Sequence, residues 1–299
     1  METGEPDSGH IRLDISYDGT EFAGWARQPN QRTVQGQLEE ALATIFRRSG
    51  VQPRLVVAGR TDVGVHAIGQ VAHVDLNPAQ VHTLARPARG SRQAITGAES
   101  LASRLNGIAG LSSDVRVIRS YRAPAGFDAR FSALWRRYEY RIADPDATHD
   151  PRRRTHTLWY PAALDAEAMQ DAAQSLLGLH DFASFCRPRP GATTIRTLQA
   201  FDWIRDADGV LCARLQADAF CHSMVRALVG ACVAVGERRL AAPRVPELRD
   251  AAERPSEFKV MPAKGLTLVE VGYPPDDELA SRAELTRARR DLAQTQQID

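Results

Sequence analysis

No stretch of the 299-residue chain approaches the roughly 18 consecutive apolar residues that a membrane-crossing helix needs. Cysteine is scarce. Cys186, Cys212, Cys221 and Cys232 form no C-x-x-C pair, which argues against a zinc site and reads as four reduced thiols of a cytoplasmic protein. Lysine is nearly absent: Lys259 and Lys264 stand alone among 38 basic residues, and the other 36 are arginine. Excess charge is lacking too, since the net charge is +1 and composition alone announces no nucleic-acid partner. Arginine does offer a planar fork that matches phosphate and stacks on bases. A GC-rich genome explains the same bias, so composition leaves function open. The acidic, polar opening METGEPDSGH lacks the pattern of a secretory or transit peptide.

What is present is enough for a sizeable core. The chain is 43% hydrophobic and 25% charged, in the range of a globular protein with one large or two ordinary domains. Residues 11–17, IRLDISY, alternate apolar and polar as a half-buried strand does. Thr33 is placed to cap a helix carrying Val34, Leu38, Ala41, Leu42, Ile45 and Phe46. Strands are expected at 54–58, 70–76 and 115–121, with a helix near 99–106. In RRYEYRI, Tyr138, Tyr140 and Ile142 share one strand face, and Arg137, Glu139 and Arg141 the other. A helix from Asp165 as N-cap to Gly178 as C′ glycine is expected next. Strands near 195–205 and 210–218 flank the turn Asp206-Ala207-Asp208-Gly209. A buried helix (222–236) and a closing strand (265–273) follow. Both halves read strand, helix, strands, helix, strand, without a repeat in the letters. Residues 84–98 read as a mobile loop, and the charged segment after Pro275 as a frayed helix or disorder. The domain expectation is a disordered leader (1–9), α+β subdomains at 10–121 and 122–275, and a charged tail (276–299).

The run GRTDVGVH (59–66) joins two apolar strands yet holds Arg60 and Asp62 two residues apart, framed by Gly59 and Gly64. Glycines there permit close approach by a ligand. From spacing alone Asp62 is a turn-former, a nucleophile or a metal ligand, and no clustered carboxylates or paired histidines nearby favour a metal. With the following GQVAHV, this run resembles the signature of the TruA-type tRNA pseudouridine synthases. The resemblance continues in family order through YDGTEFAGWARQ (17–28), DARFSALWRRYEYRI (128–142), GLHDFASF (178–185) with Arg196, FCHSMVRALVG (220–230) and KGLTLVEVGYP (264–274). Departures are small: Ala26 stands where the family usually has glutamine, Val63 replaces a common alanine, and Leu134-Trp135 is a bulkier pair than usual.

The resemblance implies an α+β pseudouridine synthase fold, with two ferredoxin-like subdomains whose mixed and antiparallel sheets flank an RNA-binding cleft, assembled as a homodimer. It implies isomerisation of uridine in the tRNA anticodon stem-loop, with no DNA or membrane partner. That reaction breaks the bond from uracil N1 to the ribose and joins C5 to the same carbon. It is redox-neutral and gains no atoms, so no cofactor and no metal is expected. Asp62 is then the catalytic carboxylate, since carboxylates act at sugar carbons in glycosidases. Arg226 is the cation that keeps it ionised, and Tyr138 the ring that packs on uracil and accepts the C5 proton. Arg60 is the residue that replaces the flipped base. Arg27, Gln28 and Arg137 are expected to hold phosphates or bases. The rival from another class is a non-catalytic tRNA-binding or tRNA-folding protein on the same scaffold.

Overall fold

The computed structural model describes residues 9–86, 96–189, 193–253 and 255–295, the last helix without its side chains from 289 onward. Most of the expected 84–98 loop and nearly all of the expected leader lie outside these residues. The chain divides into two compact units. The first comprises residues 1–63, 67–133 and 273–287, and the second comprises 64–66, 134–272 and 288–299.

The first unit opens with β1 (His10–Tyr17), whose alternation buries Ile11, Leu13, Ile15 and Tyr17. Then come α1 (Val34–Ile45), β2 (Leu55–Val57), β3 (His66–Asp75), α2 (Pro78–Leu84), α3 (Ser100–Ala109) and β4 (Val115–Arg122). Thr33 caps α1 as expected, its hydroxyl accepting the Gly36 N–H at 3.1 Å, a contact worth about 1 kcal/mol. The sheet order is β4-β1-β3-β2, every neighbour antiparallel. The pattern β-α-β-β-α-β in this order is the ferredoxin-like split β-α-β. Helix α2 was not expected. Its signal is a capping box, in which Asn77 Oδ1 accepts from Gln80 N–H and Gln80 Oε1 accepts from Asn77 N–H, with Pro78 at the first turn.

The second unit contains β5 (Trp135–Ala143), β6 (Leu158–Trp159), α4 (Ala166–Gln174), β7 (Gly178–Asp181), β8 (Ile195–Arg205), β9 (Leu211–Ala217), α5 (Met224–Gly236), α6 (Arg244–Asp250) and β10 (Leu266–Gly272). Its sheet runs β10-β5-β9-β8-β7 with antiparallel neighbours, and β6 adds a parallel pair to β5. Set aside β6 and β7, and β5-α4-β8-β9-α5-β10 repeats the topology of the first unit. The letters hide that repeat. Helix α4 ends at Gln174, four residues before the expected Gly178: Ser175 caps it and turns its hydroxyl back onto Ala172 O at 2.7 Å. Gly178 instead opens β7 at φ +111. Of the two expectations for the charged segment after Pro275, the described residues follow the helical one: α7 spans Leu279–Thr295, and its residues to Arg287 belong to the first unit.

The expectation of four reduced thiols is corrected. Cys186 and Cys221, 35 residues apart in sequence, are joined as a disulfide, while Cys212 and Cys232 are buried free thiols. Strand pairing, which spacing does not reveal, brings the first two together. No helix among the described residues is long and apolar enough to cross a membrane.

Candidate active site

The Asp62 loop leaves β2 in the first unit and is held from behind by two side chains, Gln70 and Tyr17. Gln70 Nε2 donates to Gly59 O at 2.8 Å and to the Tyr17 hydroxyl at 3.2 Å. The same Tyr17 hydroxyl shares a hydrogen bond with Thr61 Oγ1 at 2.7 Å. Burial pushes the Tyr17 hydroxyl up to about 12 against the lowering effect of these two bonds, so it stays neutral. The Thr61 carbonyl in turn accepts the Trp25 N–H at 3.0 Å. Thr61 is thereby bound through side chain and main chain, and Asp62 follows it directly as a half-exposed carboxylate. Gly24, at φ +90, allows this closeness. A Cβ there would lie 2.9 Å from Thr61 O and 3.2 Å from the Asp62 carbonyl carbon.

A residue that sequence reasoning missed sets the loop's approach. Glu39, on α1, is 4% exposed. Its carboxylate accepts from Leu55 N–H at the start of β2 (3.1 Å), from Gln35 Nε2 (2.9 Å) and from Arg54 Nη1 (2.6 Å). Glu39 thus ties the helix to the strand that delivers Asp62. A charged residue on the apolar side of an otherwise regular helix was the signal available. Arg27, 4.0 Å from the same carboxylate, is exposed, as are Arg60 and Gln28. Gln28 spends Nε2 on Ala23 O at 2.9 Å.

Tyr138 and Arg226 belong to the second unit. Tyr138 sits mid-strand in β5 between Leu215 and Leu268, 8% exposed, with its ring edge-on to Phe220 at 5.2 Å. Phe220 opens the segment leading into α5, so the strand carrying Tyr138 and the segment carrying Arg226 meet there. The Arg226 Nε is buried and has no hydrogen-bond partner among the described residues. A donor of that kind is costly unless something accepts from it. The Arg226 carbonyl accepts Met261 N–H at 3.1 Å, anchoring the helix turn. Tyr140 is fully buried and donates to Pro262 O at 2.8 Å; burial pushes its hydroxyl up, and the Arg226 charge draws it partly back.

Arg137 lies across the strand from Tyr138, on the opposite face. There it donates to Gln216 Oε1 at 2.8 Å and to Glu270 Oε2 at 2.6 Å, and it stacks on Trp135 at 4.7 Å. Arg136 shares the face of Tyr138 and donates to Asp218 O at 2.7 Å.

One cluster has the composition of a metal site, His10, His73 and Asp75, but its protons are already assigned. His10 Nδ1 lies 2.6 Å from Asp75 Oδ1, and its Nε2 lies 2.8 Å from Phe127 O. His73 Nδ1 accepts Ala129 N–H at 3.0 Å, so the neutral ring carries its proton on Nε2 and has no lone pair left for an ion. Burial and the neighbouring His10 lower the His73 pKa, consistent with a neutral ring. The cluster staples β1, β3 and the 127–129 turn.

Two units of split β-α-β topology, the first of which offers a carboxylate from a braced loop, define an α+β scaffold. The sequence model of the family described as tRNA pseudouridine synthase matches residues 172–274. The tRNA pseudouridine synthase A of Leifsonia xyli subsp. xyli is 64% identical, covering 94% of this chain and 98% of its own length. Those of Frankia casuarinae and Mycobacterium leprae are 56% and 50% identical, each covering 94% of this chain and 95% of the relative. The chain belongs to the tRNA pseudouridine synthase family.

Proposed function

We propose that this protein isomerises uridine to pseudouridine in tRNA, at uridines of the anticodon stem-loop, as a cytoplasmic homodimer. The observation that carries the reading is Asp62. A half-exposed carboxylate follows a residue bound through both side chain and backbone, in a chain 64% identical to a tRNA pseudouridine synthase A. Such bracing is what a group that must meet one ribose carbon requires. Asp62 acts at the sugar of an extruded uridine, whose N1 bond breaks while the base stays bound and turns. Arg226 supplies the positive charge that keeps a carboxylate ionised once a nucleoside shields it from water; its unpartnered Nε is the donor available for that role. Tyr138 stacks on the uracil and takes the C5 proton after C5 joins C1′. Arg60 fills the space of the extruded base, and Arg27 and Gln28 hold the backbone. Of the two adjacent arginines, Arg136 suits an RNA contact beside Tyr138 better than Arg137, because it shares that face.

The test is Asp62→Asn with transcribed tRNA, reading pseudouridine by chemical mapping and tRNA affinity by filter binding. The amide keeps shape but not charge, so product should vanish while binding persists. Turnover above trace, after deamidation is excluded, would overturn the assignment. A wild-type protein that binds tRNA and forms no pseudouridine would establish the binding-protein alternative. Sedimentation showing only monomer at micromolar concentration would refute the dimer.

A further inference from the structure

Cys186 and Cys221 take no part in the chemistry above, yet the chain brings them together. Their Cα atoms are 5.7 Å apart, inside the span a disulfide bridges without backbone movement. Backbone already joins the two loops, since Arg187 N–H donates to His222 O at 3.0 Å. Cys186 follows the 3-10 turn Ala183–Phe185 and is 2% exposed, while Cys221 is half-buried. Cys221 also stands at a mechanical junction. Its carbonyl accepts Met224 N–H, the first of α5, at 3.1 Å, and Arg226 lies five residues on. Between them Ser223 holds a left-handed φ of +64 and makes no side-chain cap bond, so the start of this helix is strained and lightly tied. The other two thiols are poor candidates for any redox role: burial pushes Cys212 up to about 11 and Cys232 up to about 12.

We propose that Cys186 and Cys221 form a reversible redox site whose disulfide clamps the start of α5, and with it Arg226. A hydroperoxide is the oxidant. The sulfur of Cys221, the less buried of the two residues, attacks the O–O bond and becomes a sulfenic acid, releasing water from hydrogen peroxide. The Cys186 sulfur then displaces that oxygen as a second water, so an S–S bond forms and an S–O bond breaks. Two thiols lose two electrons and two protons, and the peroxide takes them up. A dithiol reductant reverses the step through a mixed disulfide and ends as a disulfide itself. The effect on turnover rests on the role given to Arg226 above, whereas formation of the bond does not.

The experiment treats the full chain with hydrogen peroxide or with excess dithiothreitol, alkylates it in denaturant and counts labels by intact mass. Four labels are expected after reduction and two after peroxide, with peptide mapping placing the bond between Cys186 and Cys221. Pseudouridine formation should be several-fold faster in kcat for the oxidised protein at similar KM. Cys186→Ser, or Cys221→Ser if the first is poorly folded, should stay at the reduced level under both treatments. Four labels after peroxide would overturn the site. A bond that forms without changing turnover would overturn the clamp on Arg226, as would a serine variant that still responds to peroxide. If neither state of the wild type makes pseudouridine, the proposed function fails while the label count still decides the redox site.

Discussion

Thr61→Val removes one hydroxyl from behind the Asp62 loop and keeps the side chain's shape. Tyr17 is 5% and Thr61 6% exposed, so water does not replace what is lost. Gln70 continues to donate to the Tyr17 oxygen, and the buried Tyr17 hydroxyl faces a methyl group where its Thr61 partner stood. Stranding a buried donor costs about 1–3 kcal/mol. Tyr17→Phe strands the Thr61 hydroxyl instead and should cost a similar amount, while Gln70 keeps its bond to Gly59 O. The double variant leaves neither group unpaired, so its loss should fall well below the sum of the singles, with a coupling of about 1 kcal/mol. Urea melts of the four proteins measure this. Alkaline pH gives a second readout. The folded Tyr17 pKa, about 12, lies above its unfolded value near 10. The associated stability is therefore full below pH ~10 and lost as pH rises through ~12, about 2–3 kcal/mol in all. Wild type should lose that much across this window, and Tyr17→Phe should not. Turnover should follow, since a carboxylate displaced by even ~1 Å loses reactivity steeply; Thr61→Val should lower kcat more than it raises KM. Additive single-variant losses, or matching alkaline profiles for wild type and Tyr17→Phe, would refute the reasoning.

Tyr138→Phe should keep tRNA affinity and slow turnover by about 10²–10⁴-fold if the hydroxyl is the base, and wild-type rates would reduce Tyr138 to a packing surface. Gly24→Ala must hold φ +90 with its methyl against Thr61 O, so it should destabilise by about 1–3 kcal/mol and lower kcat; an unchanged melt would mean the turn tolerates a side chain. Burial raises the Asp144 pKa, but the Arg205 fork at 2.7 and 2.9 Å and the Leu164 N–H hold it below the ordinary carboxylate value. Its stability is thus present above pH ~4 and lost as pH falls below that. Asp144→Asn should cost about 2–4 kcal/mol at neutral pH, less than for a fully buried pair because Arg205 is 28% exposed, and it should flatten the acid limb of a pH–stability curve.

Local order in this protein is written in the chain. Thr33 and Asp165 cap their helices by reaching three residues ahead, and β1 buries alternate side chains because successive Cβ atoms point to opposite faces. The same alternation set Tyr138 and Arg137 on opposite faces, and the order of motifs marked the family. The rest came from pairings that no window of sequence contains. Tyr17 meets Thr61 from 44 residues away, and Glu39 finds Leu55 N–H across a helix-to-strand passage. Cys186 and Cys221 flank the β8–β9 hairpin in sequence, and the pairing of its strands returns the chain from one to the other. The two units share one topology without sharing letters, because a split β-α-β asks only for apolar strands and helices in the right order, which many sequences satisfy. Residue type and periodicity specify interactions within a turn or a strand; contacts between distant segments depend on strand order and register, which exist only in the folded sheet.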